Sequence, residues 1–246
     1  MEAIRVRRLN HANLHVECDF GQAAEIKEFF SFFVPGYQWM PAFKRRIWDG
    51  KIRLFDTNTG ELPAGLIHHL VKYIESRGYN YELIKTKYGT PLEEQRPDPK
   101  EVVQFIKTLN LPFDPRDYQF IAIMEALHRT RGILLSPTGS GKSLIIYILA
   151  QYWLQMLTDG LRYPEAGKVL VIVPTTSLVE QMHNDFVQYG CSEKAIHRIY
   201  SGKDKTFNQA ICISTWQSIY KLPKDWYQQF GMVVGDECHG FKSKSL

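Results

Sequence analysis

The run Ser136-Pro137-Thr138-Gly139-Ser140-Gly141-Lys142-Ser143 places two glycines, a lysine and a terminal hydroxyl within eight residues. Gly139 and Gly141 open backbone angles closed to residues with a Cβ, so successive N–H groups can turn toward one anion. An apolar helical stretch begins near Lys142, and its N-terminus adds partial positive charge at the same point. Lys142 supplies a point cation for β- and γ-phosphates, and the Ser143 hydroxyl is a candidate Mg²⁺ ligand. The pattern is the phosphate-binding loop G-x-x-x-x-G-K-[ST], with Ser136 where glycine is usual.

About 95 residues further on, Asp236 and Glu237 follow the apolar run Met232-Val233-Val234-Gly235. Hydrolysis at a phosphate-binding loop needs a carboxylate at a strand end to hold Mg²⁺, and a second group to position the attacking water. Asp236 is the metal-side candidate and Glu237 the water-side one. Alone, an acidic pair at a strand end is weak evidence; behind the phosphate loop it becomes half of a site.

These groups need a sheet to carry them. Gly132–Leu135, Lys168–Val173, Ala210–Ser214 and Met232–Gly235 are short apolar runs leading straight into loops, alternating with helical segments. Runs apolar on both faces predict a parallel sheet covered on both sides, hence an α/β domain. Upstream the pattern is a small α+β module. It has strands at NLHVEC, KIRLFD and YNYELI, a helix over Gln22–Phe33 ended by Pro35-Gly36, and a helix over Leu62–Arg77 ended by Gly78. The proline-rich stretch Pro91–Lys100 is the expected linker, giving domains over 1–92 and 93–246. Asp159–Gly167 reads as an internal loop.

Within the first module, Pro41–Asp56 holds five basic residues and two acids, with Phe43, Trp48 and Phe55 interleaved. Lys44, Arg45, Arg46, Lys51 and Arg53 are candidates to follow a phosphate backbone around a Trp48–Lys51 turn. The competing expectation is a solvated hairpin over an aromatic core.

Hydrophobic content of 44% and charged content of 23% are ordinary for a water-soluble globular chain. No apolar run reaches the roughly 18 residues of a membrane span, and the N-terminus lacks a signal-peptide layout. The four cysteines are scattered without a C-x-x-C pair, which argues against a zinc site or disulfide framework. Cytoplasmic residence follows as the expectation, and a net charge of +4 permits a nucleic-acid partner.

Pro137–Ser143 together with Asp236-Glu237-Cys238-His239 resembles the first RecA-like motor domain of superfamily 2 helicases of the DEAD/DEAH-like group. The resemblance implies ATP with Mg²⁺, and further motifs in order. Phe113–Gln119 resembles the adenine-recognition motif, with Gln119 offering an acceptor and a donor to the base edge and Arg116 and Tyr118 as supports. Val171–Gln181 resembles a strand-contacting motif in which Thr175, Thr176 and Ser177 begin a helix; capping by Thr176 or Ser177 would be compatible with that role. Ile213–Ser218 resembles the next one, with Thr215, Trp216 and Gln217 as candidates and Trp216 favoured as core. His239 becomes a candidate link between ATP and DNA states.

The pattern F-x-x-x-x-W-D-G-K-I-R-L in the first module, and the run Trp216–Met232, are similar to the UvsW family of phage recombination helicases. That family implies a module like a double-stranded-RNA-binding fold ahead of the motor. It also implies ATP hydrolysis coupled to remodelling branched DNA in recombination, repair or replication. A second RecA-like domain and the strand after Asp236–His239 fall outside the sequence, so the expectation is a truncated motor with weak hydrolysis of its own. Rival expectations are a restriction-system motor subunit, an RNA helicase, or a non-hydrolysing nucleotide-dependent DNA-binding module.

Overall fold

The structure, a computed structural model, describes residues 3–10, 12–92, 97–129, 131–158 and 167–238. The chain divides into two compact units, Met1–Glu94 and Gln95–Leu246.

In the first unit, β1 (Ile4–Arg8) and β2 (Asn13–Glu17) form an antiparallel pair. Asn10 closes their turn, its Oδ1 accepting the N–H groups of Ala12 and Asn13 at 2.7 and 2.8 Å. Side chains alternate across the pleat, so Ile4, Val6, Leu14 and Val16 are buried while their neighbours face outward. Helix α1 (Phe20–Phe29) starts at a capping box between Asp19 and Gln22. The helix expected over Gln22–Phe33 ends at Phe29. The Ser31 hydroxyl donates back to the Lys27 carbonyl, and β3 (Ser31–Phe33) then pairs antiparallel with β4 (Lys51–Arg53). A partner strand distant in sequence overrides the helical periodicity.

Between those strands lies the short helix α2 (Pro41–Lys44). Beyond them, β5 (Glu61–Pro63) adds to β2, and α3 (Ile67–Ser76) follows. The helix expected from Leu62 therefore begins five residues later. Pro63, which has no N–H to donate, sits on the edge strand, where that costs nothing in the ladder. Strand β6 (Tyr81–Ile84) lies parallel to β1, completing the order β5-β2-β1-β6. Ile26, Leu70 and Ile74 close the helical side of this core.

The second unit opens with α4 (Pro99–Thr108) and α5 (Asp117–Arg129). Helix α6 (Lys142–Thr158) is apolar nearly all round, and Leu144 through Ala150 are buried without interruption. Then come β7 (Lys168–Val173), α7 (Thr176–Gln188), β8 (Ile196–Ile199) and β9 (Ile211–Thr215). The short helices α8 (Trp216–Ile219) and α9 (Lys224–Tyr227) lead to β10 (Phe230–Gly235). All pairs in the order β10-β7-β9-β8 are parallel, so every strand delivers its following loop to one edge of the sheet.

One expected strand does not form. Ile133, Leu134 and Leu135 are 75%, 42% and 95% exposed, and no described strand pairs with them. An apolar run becomes a strand only where a neighbour takes its N–H and C=O groups. Together the fold is an α/β RecA-like domain preceded by a small module.

Candidate functional site

The phosphate loop is shaped by its two glycines. Gly139 and Gly141 adopt φ of 79° and 74°, the left-handed region that disfavours a Cβ. Position 141 is closed to side chains for a second reason: a Cβ there would lie 2.4 Å from Gln119 Nε2. Pro137 accepts the Ser140 N–H at 3.3 Å, while Thr138 is exposed at the loop's outer face. The Ser136 hydroxyl meets the Ser140 hydroxyl across the loop, so serine at the first position adds a brace that glycine could not.

Helix α5 holds the loop from beneath. Gln119 is buried, its Nε2 donating to the Ser140 carbonyl at 2.9 Å and its Oε1 accepting the Arg116 N–H at 2.9 Å. Tyr118 also donates to the Ser140 carbonyl, at 3.0 Å. The Gln119 amide also reaches the Gly141 carbonyl at 3.4 Å, so Gln119 and Tyr118 position the loop, and one lone pair of the Gln119 Oε1 remains for a further donor. Arg116 contributes its backbone, and its side chain is exposed.

Strand β10 brings the acidic pair to the loop. The Asp236 N–H extends the ladder to the Ile172 carbonyl at 2.8 Å. Glu237 then takes φ of 52°, which ends the strand in a turn. Its carboxylate accepts from Lys142 Nζ at 2.7 Å. That contact raises the Lys142 pKa, with desolvation opposing it and the carboxylate charges adding to it. Asp236 behaves differently: burial, opposed by Lys142, pushes its carboxyl above the usual aspartate range.

The Ser143 hydroxyl lies 3.0 Å from the Tyr189 hydroxyl. No sequence signal points to Tyr189; it lies 46 residues away in the chain, and no spacing rule links the two. Its ring meets Phe113 and Tyr147 at 5.8 and 5.5 Å, joining the start of α6 to the end of α7. No cluster of three or more histidines, cysteines or acids occurs among the described residues. One hydroxyl and one carboxylate beside a phosphate cradle nevertheless fit Mg²⁺, which takes few protein ligands and completes its shell with substrate phosphates and water. His239 lies outside the described residues.

The neighbouring strand ends carry the remaining candidates. Thr175 caps α7, its Oγ1 accepting the Leu178 N–H, so the cap is one residue earlier than expected. Its hydroxyl also lies 2.9 Å from that of Ser177, and Thr175, Thr176 and Ser177 are all exposed. At the end of β9, Thr215 is buried and its hydroxyl is 2.8 Å from Ser218. Trp216 is half-buried against Tyr220, and the exposed Gln217 donates to the Pro174 carbonyl at 3.4 Å. That last bond ties the two strand-end loops together.

In the first unit the five cations separate. Lys51 pairs with Glu28 at 2.6 Å, and Arg53 forms a two-point pair with Asp49. Lys44, Arg45 and Arg46 are exposed, with no carboxylate partner among the described residues; Lys44 Nζ lies 5.5 Å from the Trp39 ring centre.

Comparison with known proteins bears on these geometries. Residues 112–246 match the family described as the type III restriction enzyme res subunit, and residues 3–83 match the N-terminal region of DNA helicase UvsW. The chain is 37% identical over 250 residues to the ATP-dependent DNA helicase UvsW of Enterobacteria phage T4, covering 99% of this chain and 48% of the phage protein. It is 28% identical over 131 residues to the DNA 3'-5' translocase XPB2 of Sulfurisphaera tokodaii, covering 52% of this chain and 26% of that protein. The crystal structure of UvsW from bacteriophage T4 superposes with a TM-score of 0.84 at 34% identity, over 99% of this chain and 86% of that one. The chain thus spans about half or less of the length of these curated relatives. The chain belongs to the superfamily 2 helicases, with its second unit matching the res-subunit family and the whole chain similar to UvsW.

Proposed function

We propose that this chain is the ATP-binding part of an ATP-dependent DNA helicase or translocase that acts on branched DNA. The observation that carries the reading is the meeting of Lys142 with Glu237 at 2.7 Å. It joins phosphate loop and acidic strand end into one site. In the free protein Glu237 balances Lys142; an arriving γ-phosphate takes over the lysine and releases the carboxylate to orient water. Ser143 and Asp236 would hold Mg²⁺, whose charge offsets that developing on the transferring phosphoryl group. Gln119 keeps the loop in shape while the base sits nearby.

The exposed hydroxyls at 175–177 and the side chain of Gln217 suit sugar–phosphate contacts, which position a strand without reading its sequence. A second RecA-like domain is the proposed partner across the nucleotide, and a phage-infected host's cytoplasm is the proposed location. No helix among the described residues is long and apolar enough to cross a membrane.

ATP hydrolysis by the full-length protein, with and without DNA or RNA, tests the reading. DNA should stimulate hydrolysis, and Glu237→Gln should lower it by about 10²–10⁴-fold, the range for loss of a positioned base. Stimulation by RNA alone would remove the DNA assignment. Unchanged hydrolysis in Glu237→Gln would instead favour a binding module.

A further inference from the structure

The segment between β3 and β4 has features that a phosphate-tracking role for its cations leaves unexplained. Trp39 and Ile47 are each 77% exposed, and Phe33 is 51% exposed. Single exposed apolar residues are ordinary, but two nearly bare ones eight residues apart, with a third in β3 beside them in sequence, are a concentration that calls for a reason. Ile47 and Trp48 line an open groove of about 780 Å³ together with Lys44, Arg46 and the Asp49–Arg53 pair, and Trp39 lies outside that lining. That volume falls in the range of sites for small ligands. Trp48 is fixed in place by its Nε1–H, which donates to the Lys51 carbonyl at 2.8 Å.

The backbone adds a second, independent observation. Helix α2 closes with the Arg46 N–H on the Phe43 carbonyl at 2.9 Å and the Ile47 N–H on the Ala42 carbonyl at 3.0 Å. In that closure the left-handed position normally belongs to glycine, yet Arg46 occupies it at φ 55°. The closure sets the backbone at Arg46 and Ile47, whose side chains are adjacent in sequence and exposed.

Base-paired duplex does not match this surface. Its base faces are stacked and hidden, so a flat exposed tryptophan would meet only phosphates and groove edges. An unpaired strand presents base faces alternating with phosphates, which is what an exposed ring with neighbouring cations complements. Three cations without carboxylate partners among the described residues supply the charge, whereas Lys51 and Arg53 are already neutralised.

We infer that residues Tyr37–Trp48 bind unpaired nucleotides at a DNA branch, with base faces on Trp39 and Ile47 and the flanking phosphates on Lys44, Arg45 and Arg46. The inference rests on the DNA assignment proposed above. It makes the small unit a sensor of the unpaired strand, a role distinct from holding duplex.

The experiment compares binding of a single strand, a fork and a blunt duplex of matched length to the full chain, by fluorescence anisotropy. The double variant Trp39→Ala/Ile47→Ala should weaken single-strand and fork binding about tenfold or more, the order for losing one stacked base, and blunt-duplex binding less than about twofold. Trp39→Phe, which keeps a ring, should retain most of the affinity. Quenching of 2-aminopurine in the single-stranded arm should disappear with the double variant. Equal losses on all three DNAs would overturn the inference in favour of a phosphate-only surface. Unchanged binding of every form would remove Trp39 and Ile47 from DNA contact and overturn the inference. A wild-type chain that bound no DNA would instead overturn the DNA assignment, and this inference with it. Both side chains are mostly exposed, and thermal unfolding of the variants verifies that the fold is intact.

Discussion

The phosphate loop and the β3–β4 segment are both basic, yet they are built in opposite ways. The loop has one lysine, set by two left-handed glycines, a buried glutamine beneath it and a carboxylate at 2.7 Å. The β3–β4 region has five cations, three exposed ones around the end of α2 and two in β4 that are paired with surface acids. The number of charges thus says little about where chemistry happens. What separates the regions is whether the backbone and its neighbours fix each group before the ligand arrives, because only fixed dipoles and charges cost no reorganisation. Two aspartates repeat the contrast. Asp49, exposed beside Arg53, titrates low at about 2, whereas half-buried Asp236 is pushed up.

The largest expected effect comes from Lys142→Ala. It should lower ATP hydrolysis in the full-length protein by about 10²-fold or more, the order for removing one preorganised electrostatic group. DNA binding through the first unit should change little. Hydrolysis near the wild-type rate would break the contrast at its root.

Gly141→Ala comes next. It combines a disfavoured φ with a Cβ placed 2.4 Å from Gln119 Nε2. A loss of about 1–3 kcal/mol is expected, read as a fall in Tm of roughly 2–4 °C per kcal/mol for a chain of this size, together with weaker ATP binding. An unshifted Tm would mean that Gln119 does not brace the loop.

A smaller effect separates the paired from the unpaired cations. Lys44→Ala/Arg46→Ala should reduce the salt dependence of single-strand binding by up to about 0.7 in the log–log slope for each phosphate no longer neutralised. Lys51→Ala/Arg53→Ala should leave the slope nearly unchanged. Equal slopes for the two variants would erase the distinction between them.

The smallest effect concerns protons. The Arg53 hydrogen bond, followed by the Lys51 N–H, holds Asp49 down to about 2 from an ordinary 3.8. A depressed carboxylate adds stability that is present above 3.8 and lost as pH falls toward about 2. Arg53→Ala should return the Asp49 titration, followed by NMR, toward its ordinary value. Asp236 has the opposite sign, since its raised pKa means that it gains a proton before ordinary aspartates as pH falls. Mg²⁺–ATP affinity should therefore decline from above the usual aspartate range, and Asp236→Asn should remove that component.

Much of the second unit is legible in the sequence because its signals are local. A phosphate loop is contiguous, glycines at 139 and 141 declare their own backbone angles, and a buried parallel strand announces itself by apolar residues on both faces. Local patterns mislead where a distant partner decides the outcome. Phe29–Phe33 is helical by periodicity, yet β4 turns its last residues into a strand. Leu62 fits a helix, yet β2 takes it as an edge. Ile133–Leu135 has the composition of a strand and finds no described neighbour. Thr176 and Ser177 have the residue types of caps, but the chain enters the helix at Thr175, whose extended backbone lets its side chain reach back to the first turn.

The sequence by itself determined the groups available: a glycine-rich loop of the phosphate-binding pattern, a lysine, two carboxylates proposed for the metal and water sides, and a basic aromatic segment. Residue type and short spacing are enough for that, because each group's chemistry is its own. Only the tertiary structure decided which groups meet. It set Glu237 on Lys142 and Tyr189 on Ser143, moved Gln119 beneath the loop, and divided five similar cations into two that are paired and three that have no carboxylate partner among the described residues. Those outcomes depend on strand order and register between segments tens of residues apart, which no local pattern encodes.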